Sequence, residues 1–208
     1  MEQKTGNTEQ LILEAAEKLF MEKGYNGTKT LDIAKNAGVN HALIHYYFRT
    51  KENLFSQIFE QKAAQLLGFF VDAFNKDYPF FEKLKIGIET HFDFLSQTPE
   101  LPLFVLNEII KDKNRRNYIY KKIFPIGEEI LKRMTKAIAE EVCKGTIRPI
   151  KASDLLLNIA SLNVFAFVAL QVLFATDEDR QKEEYVKFLE ERKKNNVELI
   201  INGLKIKN

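Results

Sequence analysis

His41 and His45 stand four residues apart, so on a helix both imidazoles lie on one face. That spacing suits two chemistries: a two-histidine clamp on a transition metal, or a pair of protonatable groups set against an anion. A metal needs further ligands, and no acidic or Cys side chain lies within the same turn, so no metal site is expected. Two imidazoles facing phosphates would instead gain charge as pH falls through about 6.5 and hold the anion more tightly. Catalytic sets are missing. There is no glycine-rich phosphate loop, no G-x-S-x-G and no Cys/His pairing at metal spacing, and Cys143 has no evident partner. The acid pairs Glu128-Glu129 and Glu140-Glu141 read as solvated charges on a helix. Neither an enzyme nor a bound cofactor is expected.

The chain of 208 residues is long enough for one large or two small domains with a real core. A formal charge of +2 argues neither for nor against nucleic acid. The single cysteine excludes an internal disulfide and suits a reducing cytoplasm, and residues 1–10 are polar, without a signal-peptide core. A cytoplasmic protein is expected.

With 9 Gly and 5 Pro, long helices are permitted. Thr8 reads as an N-cap, followed by Leu11, Ile12, Ala15, Ala16, Leu19 and Phe20 at helical steps; Gly24 stops this helix and Tyr25 can pack back under it. Thr28 reads as the cap of a second helix with Ile33, Ala34 and Ala37 inward, Gly38 as a turn, and Asn40 as the cap of a third with Ile44 and Phe48 inward. Helices this short need one shared core, which makes a trihelical module. A fourth helix is expected from Thr50 or Lys51 to about Lys76, a fifth over Pro79–Thr98, and a sixth over Leu101–Lys111. KDKNRRN (111–117) reads as a connection. A seventh helix should occupy Tyr118–Lys144, kinked or started by Pro125. Ser153 reads as the cap of an eighth reaching Thr176. Across the charged hinge Asp177–Lys182 a ninth ends near Leu204. No strand-period alternation of any length occurs, so the fold class is all-α with about nine helices: an N-terminal helix-turn-helix domain, 1–50, and a larger helical bundle, 51–208.

Helix, glycine turn, capping Asn40 and a following exposed polar helix form the arrangement in which a second helix enters the DNA major groove. The stretch Ile12–Phe55 carries ILEAA, LF-x-x-x-GY, the capping Thr28, DIA-x-x-AGV, a third helix ending in YYF, and K-E-x-L-F in order. In these motifs it resembles the DNA-binding domain of the TetR family of bacterial transcriptional regulators. The resemblance implies phosphate contacts from Lys29, Thr30, Tyr47 and Lys51, base-facing positions at His41, Ala42 and Leu43, and a phosphate or base contact from His45. Tyr46 would pack at the module's edge.

The recognition helix departs from that pattern. His41, Ala42 and Leu43 stand where Lys, Gly and Thr are usual, His45 replaces a Tyr, Tyr47 a His, and Leu31 a frequent Arg. Ala42 and Leu43 can touch a thymine methyl but cannot bond bidentately to a purine. Over residues 1–50, Lys4, Lys18, Lys23, Lys29, Lys35 and Arg49 are matched by Glu2, Glu9, Glu14, Glu17, Glu22 and Asp32. Weak non-specific binding and a shallow salt dependence are expected.

From Leu155 to Thr176 no residue is charged, which is long enough for a membrane span. Asn158, Ser161, Asn163 and Gln171 recur through the stretch and its flanks are not basic, so a helix covered by its own bundle and by a second copy of the chain is expected instead, with no membrane partner. Together with the ninth helix it would form a homodimer interface through Leu162, Phe165, Ala169, Leu173, Phe188, Val197 and Ile201. The resemblance also implies a pocket for an unidentified small-molecule effector, mostly apolar, in the C-terminal bundle. Phe70, Phe74, Phe92, Phe104 and Phe167 are candidate lining residues, with His91, Asn107 and Asn163 as polar groups on apolar faces. The expected protein is a ligand-responsive, dimeric regulator, a repressor, acting on double-stranded operator DNA. The alternative is a helical dimeric ligand-binding or interaction module with weak or lost DNA binding.

Overall fold

A computed structural model of the chain describes residues 2–111, 113–174, 176, 178 and 182–206. Among them nine helices follow one another: α1 (Glu2–Gly27), α2 (Thr30–Ala37), α3 (His41–Phe48), α4 (Lys51–Asn75), α5 (Phe80–Gln97), α6 (Leu101–Lys111), α7 (Lys113–Cys143), α8 (Ala152–Leu173) and α9 (Glu183–Leu204). The all-α class follows directly from the helical spacing of apolar residues and the scarcity of Gly and Pro. Among the described residues the one β-type pairing is an isolated bridge between Ile147 and Lys205.

The chain divides into two compact units, each assembled from two stretches of sequence. The first comprises Met1–Ala64 with Phe104–Tyr120, the second Gln65–Leu103 with Lys121–Asn208. The reason lies in α4. Its Leu54, Phe55, Ile58 and Phe59 are buried, and Phe55 packs edge-on against Phe20 at 5.3 Å and Tyr25 at 5.1 Å. Phe104 of α6 joins them, 5.8 Å from Phe55. A large aromatic side chain buried this way contributes about 1.5–3 kcal/mol. The trihelical head therefore shares its core with the start of α4 and with α6.

In the second unit α5, α8 and α9 pack on one another. One core gathers Phe70, Phe74, Leu84, Ile88, Met134, Leu155, Ile159, Val197 and Ile200; a smaller one gathers Phe92, Leu95, Ala166, Phe167, Leu170 and Tyr185. Gly87 is required where it is, because a Cβ there would lie 2.9 Å from the ring of Phe70.

Several boundaries differ from the sequence expectation. α1 begins at Glu2, before Thr8, since Glu, Gln and Lys are good helix formers and extend it backwards. Leu11 is exposed, while Leu13 is buried in its stead. Lys113–Asn117 are helical, so α7 starts before Tyr118, and Pro125 lies inside it; Asp112 falls outside the described residues, as do most of Asp177–Lys182. Ser153 is not the cap of α8. Lys151 holds the extended cap position and Ser153 sits in the first turn beside Asp154.

Candidate nucleic-acid interface

The head is built from the bend at Gly24 onward. Gly24 takes φ 69°, ψ 173°, a conformation open to glycine, and lets Tyr25 stack back on Phe20 at 5.9 Å. Thr28 is buried, and its hydroxyl donates to the carbonyls of Leu19 and Gly24, both at 2.9 Å. This corrects its expected role. The hydroxyl is held by these two α1 carbonyls, and Lys29 is the cap residue of α2, without a side-chain bond. Across the molecule's sequence, Glu108 of α6 is buried and its Oε1 accepts from the Tyr25 amide at 3.1 Å.

The turn between α2 and α3 follows the sequence closely. Gly38 is left-handed (φ 66°, ψ 29°), and the Val39 amide donates to the Ala34 carbonyl at 3.0 Å. Asn40 is extended and its Oδ1 accepts from the Ala42 amide at 2.9 Å, capping α3. Ile33, Ala34, Ile44 and Phe48 are buried, which fixes the rotation of both helices and leaves His41, Ala42 and His45 exposed and Leu43 half-buried.

The candidate residues fall into three groups. Lys29 is exposed and Thr30 half-buried at the start of α2, and Thr30 Oγ1 lies 2.9 Å from His41 Nε2. His41, Ala42 and His45 form the open face of α3. Lys51 is half-buried at the start of α4, with Nζ 4.1 Å above the centre of the Tyr25 ring. Tyr47 is half-buried and meets Tyr46 edge-on at 5.0 Å. Tyr46 itself does not pack at an edge: it is 68% exposed, because α3's inward positions are already taken by Ile44 and Phe48.

Two residues at the α3–α4 junction escape the sequence reading. Arg49 is exposed at φ 67°, ψ −51°, a conformation that costs a side-chain-bearing residue on the order of 1–3 kcal/mol, and its amide donates to the His45 carbonyl at 3.0 Å. Thr50 Oγ1 accepts from the Asn53 amide at 3.1 Å, and Asn53 Nδ2 donates to the Phe48 carbonyl at 3.1 Å. The Thr-x-x-Asn spacing signals the cap; nothing local signals the twist at Arg49. Together they turn the chain between α3 and α4 and leave Arg49 exposed at the junction.

The residues expected around an effector fall in both compact units. Phe104 and Asn107 belong to the first unit, where Asn107 is exposed. Phe70, Phe74, His91, Phe92, Asn163 and Phe167 are buried in the second. Open grooves there are lined by other residues, among them one of about 400 Å³ beside Leu162 and Leu199 and one of about 530 Å³ beside Ile138 and Ile150. Of the expected interface residues, Phe165 and Leu173 are exposed, Leu162, Ala169, Phe188 and Ile201 are half-buried, and Val197 lies in its own chain's core. The exposed apolar positions Leu157 and Val172 on α8 and Leu199 on α9 were not anticipated, since a helix apolar all round gives no periodic clue to its open side.

Residues 12–58 match the family model described as bacterial regulatory proteins, tetR family. The chain is 28% identical over 124 residues to the fatty acid metabolism regulator protein of Bacillus subtilis, covering 58% of this chain and 64% of that one. It is 29% identical over 131 residues to the HTH-type transcriptional regulator AcrR of Shigella flexneri, covering 61% and 54%. Each match therefore spans less than two thirds of the relative's length. In fold, the transcriptional regulator FadR of Bacillus subtilis, solved with stearoyl-CoA, superposes with a TM-score of 0.69 at 22% identity over 93% of this chain and 98% of that one.

Proposed function

We propose that the chain is a member of the TetR family of bacterial regulatory proteins, whose model residues 12–58 match, and that it is a homodimeric, ligand-responsive transcriptional repressor of the cytoplasm that leaves its operator when a small, mostly apolar effector binds. The observation that carries this is the α3 surface: a capped helix held by an αL glycine turn, with His41, Ala42 and His45 exposed together and α2 and α4 opening on either side of it. Residues 1–50 act as the reading domain and 51–208 as the effector-binding and dimerisation domain.

Asn40 sets the start of α3; Ala42, Leu43 and His45 face base edges, and Lys29, Thr30, Tyr47 and Lys51 face phosphates. His41, bonded to Thr30, works from the phosphate side of the groove. Because the head has no basic excess, one head holds DNA weakly, and two heads on half-sites about 34–36 Å apart, or a multiple of that, are needed. The open apolar side of α8, where Phe165 is 68% and Val172 81% exposed, is the surface through which two copies join.

The effector belongs in the C-terminal helical bundle, among its apolar side chains. Stearoyl-CoA, the ligand of the B. subtilis FadR structure, supports an effector with a long aliphatic body. α4 is one helix from Lys51 to Asn75, so a shift of its second half is carried to the reading head. A few kcal/mol of differential binding suffice to empty the operator.

The test is fluorescence anisotropy with DNA from upstream of the chain's own gene, comparing the native protein with a His41→Ala, His45→Ala double variant. Saturable, salt-sensitive binding lost in the variant is expected. No binding at any salt would favour the second reading, a helical dimeric interaction module, to which the exposed Leu31 and the balanced charge of residues 1–50 lend weight.

A further inference from the structure

Three buried polar side chains meet between α5, α8 and α9: His91, Asn163 and Asn196, the two asparagines without measurable exposure. The direction of every bond among them is fixed by one backbone group. The Ile88 carbonyl can only accept, so the Asn163 atom 3.0 Å from it is the amide nitrogen. The same nitrogen lies 2.9 Å from His91 Nδ1, which must therefore accept, placing the ring's single proton on Nε2. The remaining Asn163 atom, Oδ1, accepts from Asn196 Nδ2 at 2.9 Å. That leaves Asn196 with its oxygen facing away from the pair. Rotating the Asn196 amide would only set two carbonyl oxygens against each other.

Asn196 Oδ1 is buried and has no hydrogen-bond partner among the described residues. Its helical neighbours Val197 and Ile200 are core residues, as are Ile159 and Phe167 around Asn163. A buried acceptor without a donor is rare because nothing offsets its lost hydration, and an aliphatic residue at 196 would carry no such cost. An acceptor locked in orientation within an apolar seam selects what it binds: a neutral donor is welcome, a carboxylate or ether oxygen is not.

We propose that Asn196 Oδ1 is the polar anchor of a ligand site in the α5–α8–α9 seam, taking a neutral hydrogen-bond donor (an alcohol or amide head) carried on an aliphatic body. The proposal deepens the effector reading of the bundle and rests on it. Asn163 is the positioning residue, since it holds the Asn196 amide; His91 closes the relay, with the Phe70 ring 5.5 Å from its own.

The experiment uses the full-length protein without DNA and three probes of equal chain length: 1-octanol, octyl methyl ether and octanoate. Calorimetry should show 1-octanol binding at least tenfold more tightly than the other two, and the side-chain amide resonances of Asn196 and Asn163 should move with 1-octanol alone. In Asn196→Leu the preference for the alcohol should vanish; if that variant does not fold, the amide resonances of the native protein decide by themselves. Equal binding of alcohol and ether, no binding of 1-octanol, or a permanently bound water on Asn196 Oδ1 that the alcohol does not displace each overturns the proposal. Operator binding is measured separately, so failure here leaves the regulator reading standing, and loss of operator binding leaves this one.

Discussion

His41 Nε2 lies 2.9 Å from Thr30 Oγ1, so the first residue of α3 is bonded to the first residue of α2. The starts of the two helices are thereby tied by a side-chain bond, in addition to the Gly38 turn that joins them along the chain. His41, Ala42 and His45 remain exposed together on the α3 face.

If the two residues act as one unit on a phosphate, removing either should cost nearly what removing both does. His41→Ala and Thr30→Val are each expected to weaken operator binding by roughly tenfold, about 1.4 kcal/mol, and the double variant by little more. A double-mutant cycle in anisotropy at fixed salt measures this, and additive losses would show the two side chains acting independently.

The exposed apolar side of α8 predicts a second outcome. Phe165→Glu places a charge on that surface while touching none of the chain's own buried core. Sedimentation should show a shift from dimer to monomer with unchanged helical circular dichroism, and operator affinity should fall by two orders of magnitude or more as two-headed binding is lost. A variant that stays dimeric would move the interface elsewhere.

Glu108 ties α6 to the bend after α1 through the Tyr25 amide. Glu108→Ala leaves that donor without its carboxylate and should destabilise the protein by about 1–3 kcal/mol. Glu108→Gln keeps an acceptor oxygen at the same reach and should cost less than half as much. Urea unfolding of the three proteins separates the outcomes; equal losses in both variants would mean that charge, not the bond to Tyr25, matters.

His91 gives a pH prediction with a definite sign. Burial lowers its pKa from 6.5 to about 4. The unfolded chain therefore takes up a proton between pH 6.5 and 4 while the folded chain does not, and stability falls as pH drops through that window, by about 3 kcal/mol in all. Above pH 6.5 this group contributes no slope. In His91→Gln, whose carbonyl oxygen can accept from Asn163, the acid loss between pH 6.5 and 4 should shrink by that amount. Identical pH profiles for the two proteins would mean that His91 titrates normally.

The local patterns that survive folding are those decided by nearest neighbours along the chain. Gly38 had to be the turn and Asn40 the cap, because a left-handed residue and a side-chain acceptor are needed within two positions of each other; the inward Ile33, Ala34, Ile44 and Phe48 then fixed which side of α3 is open. The all-helical class and most helix centres were legible for the same reason. What the tertiary structure alone decided concerns partners far apart in sequence. Thr28 looked like a cap, yet the carbonyls that claim its hydroxyl are exposed by a bend at Gly24. That α6 joins residues 1–64 in one compact unit was equally hidden, because Phe20, Phe55 and Phe104 pack together from three distant stretches. On α8, apolar on every side, only the packing of α5 and α9 settles that Phe165 is outside and Phe167 inside, and that Asn163 faces His91 and Asn196. Periodicity names a face; it takes the other elements to say what that face meets.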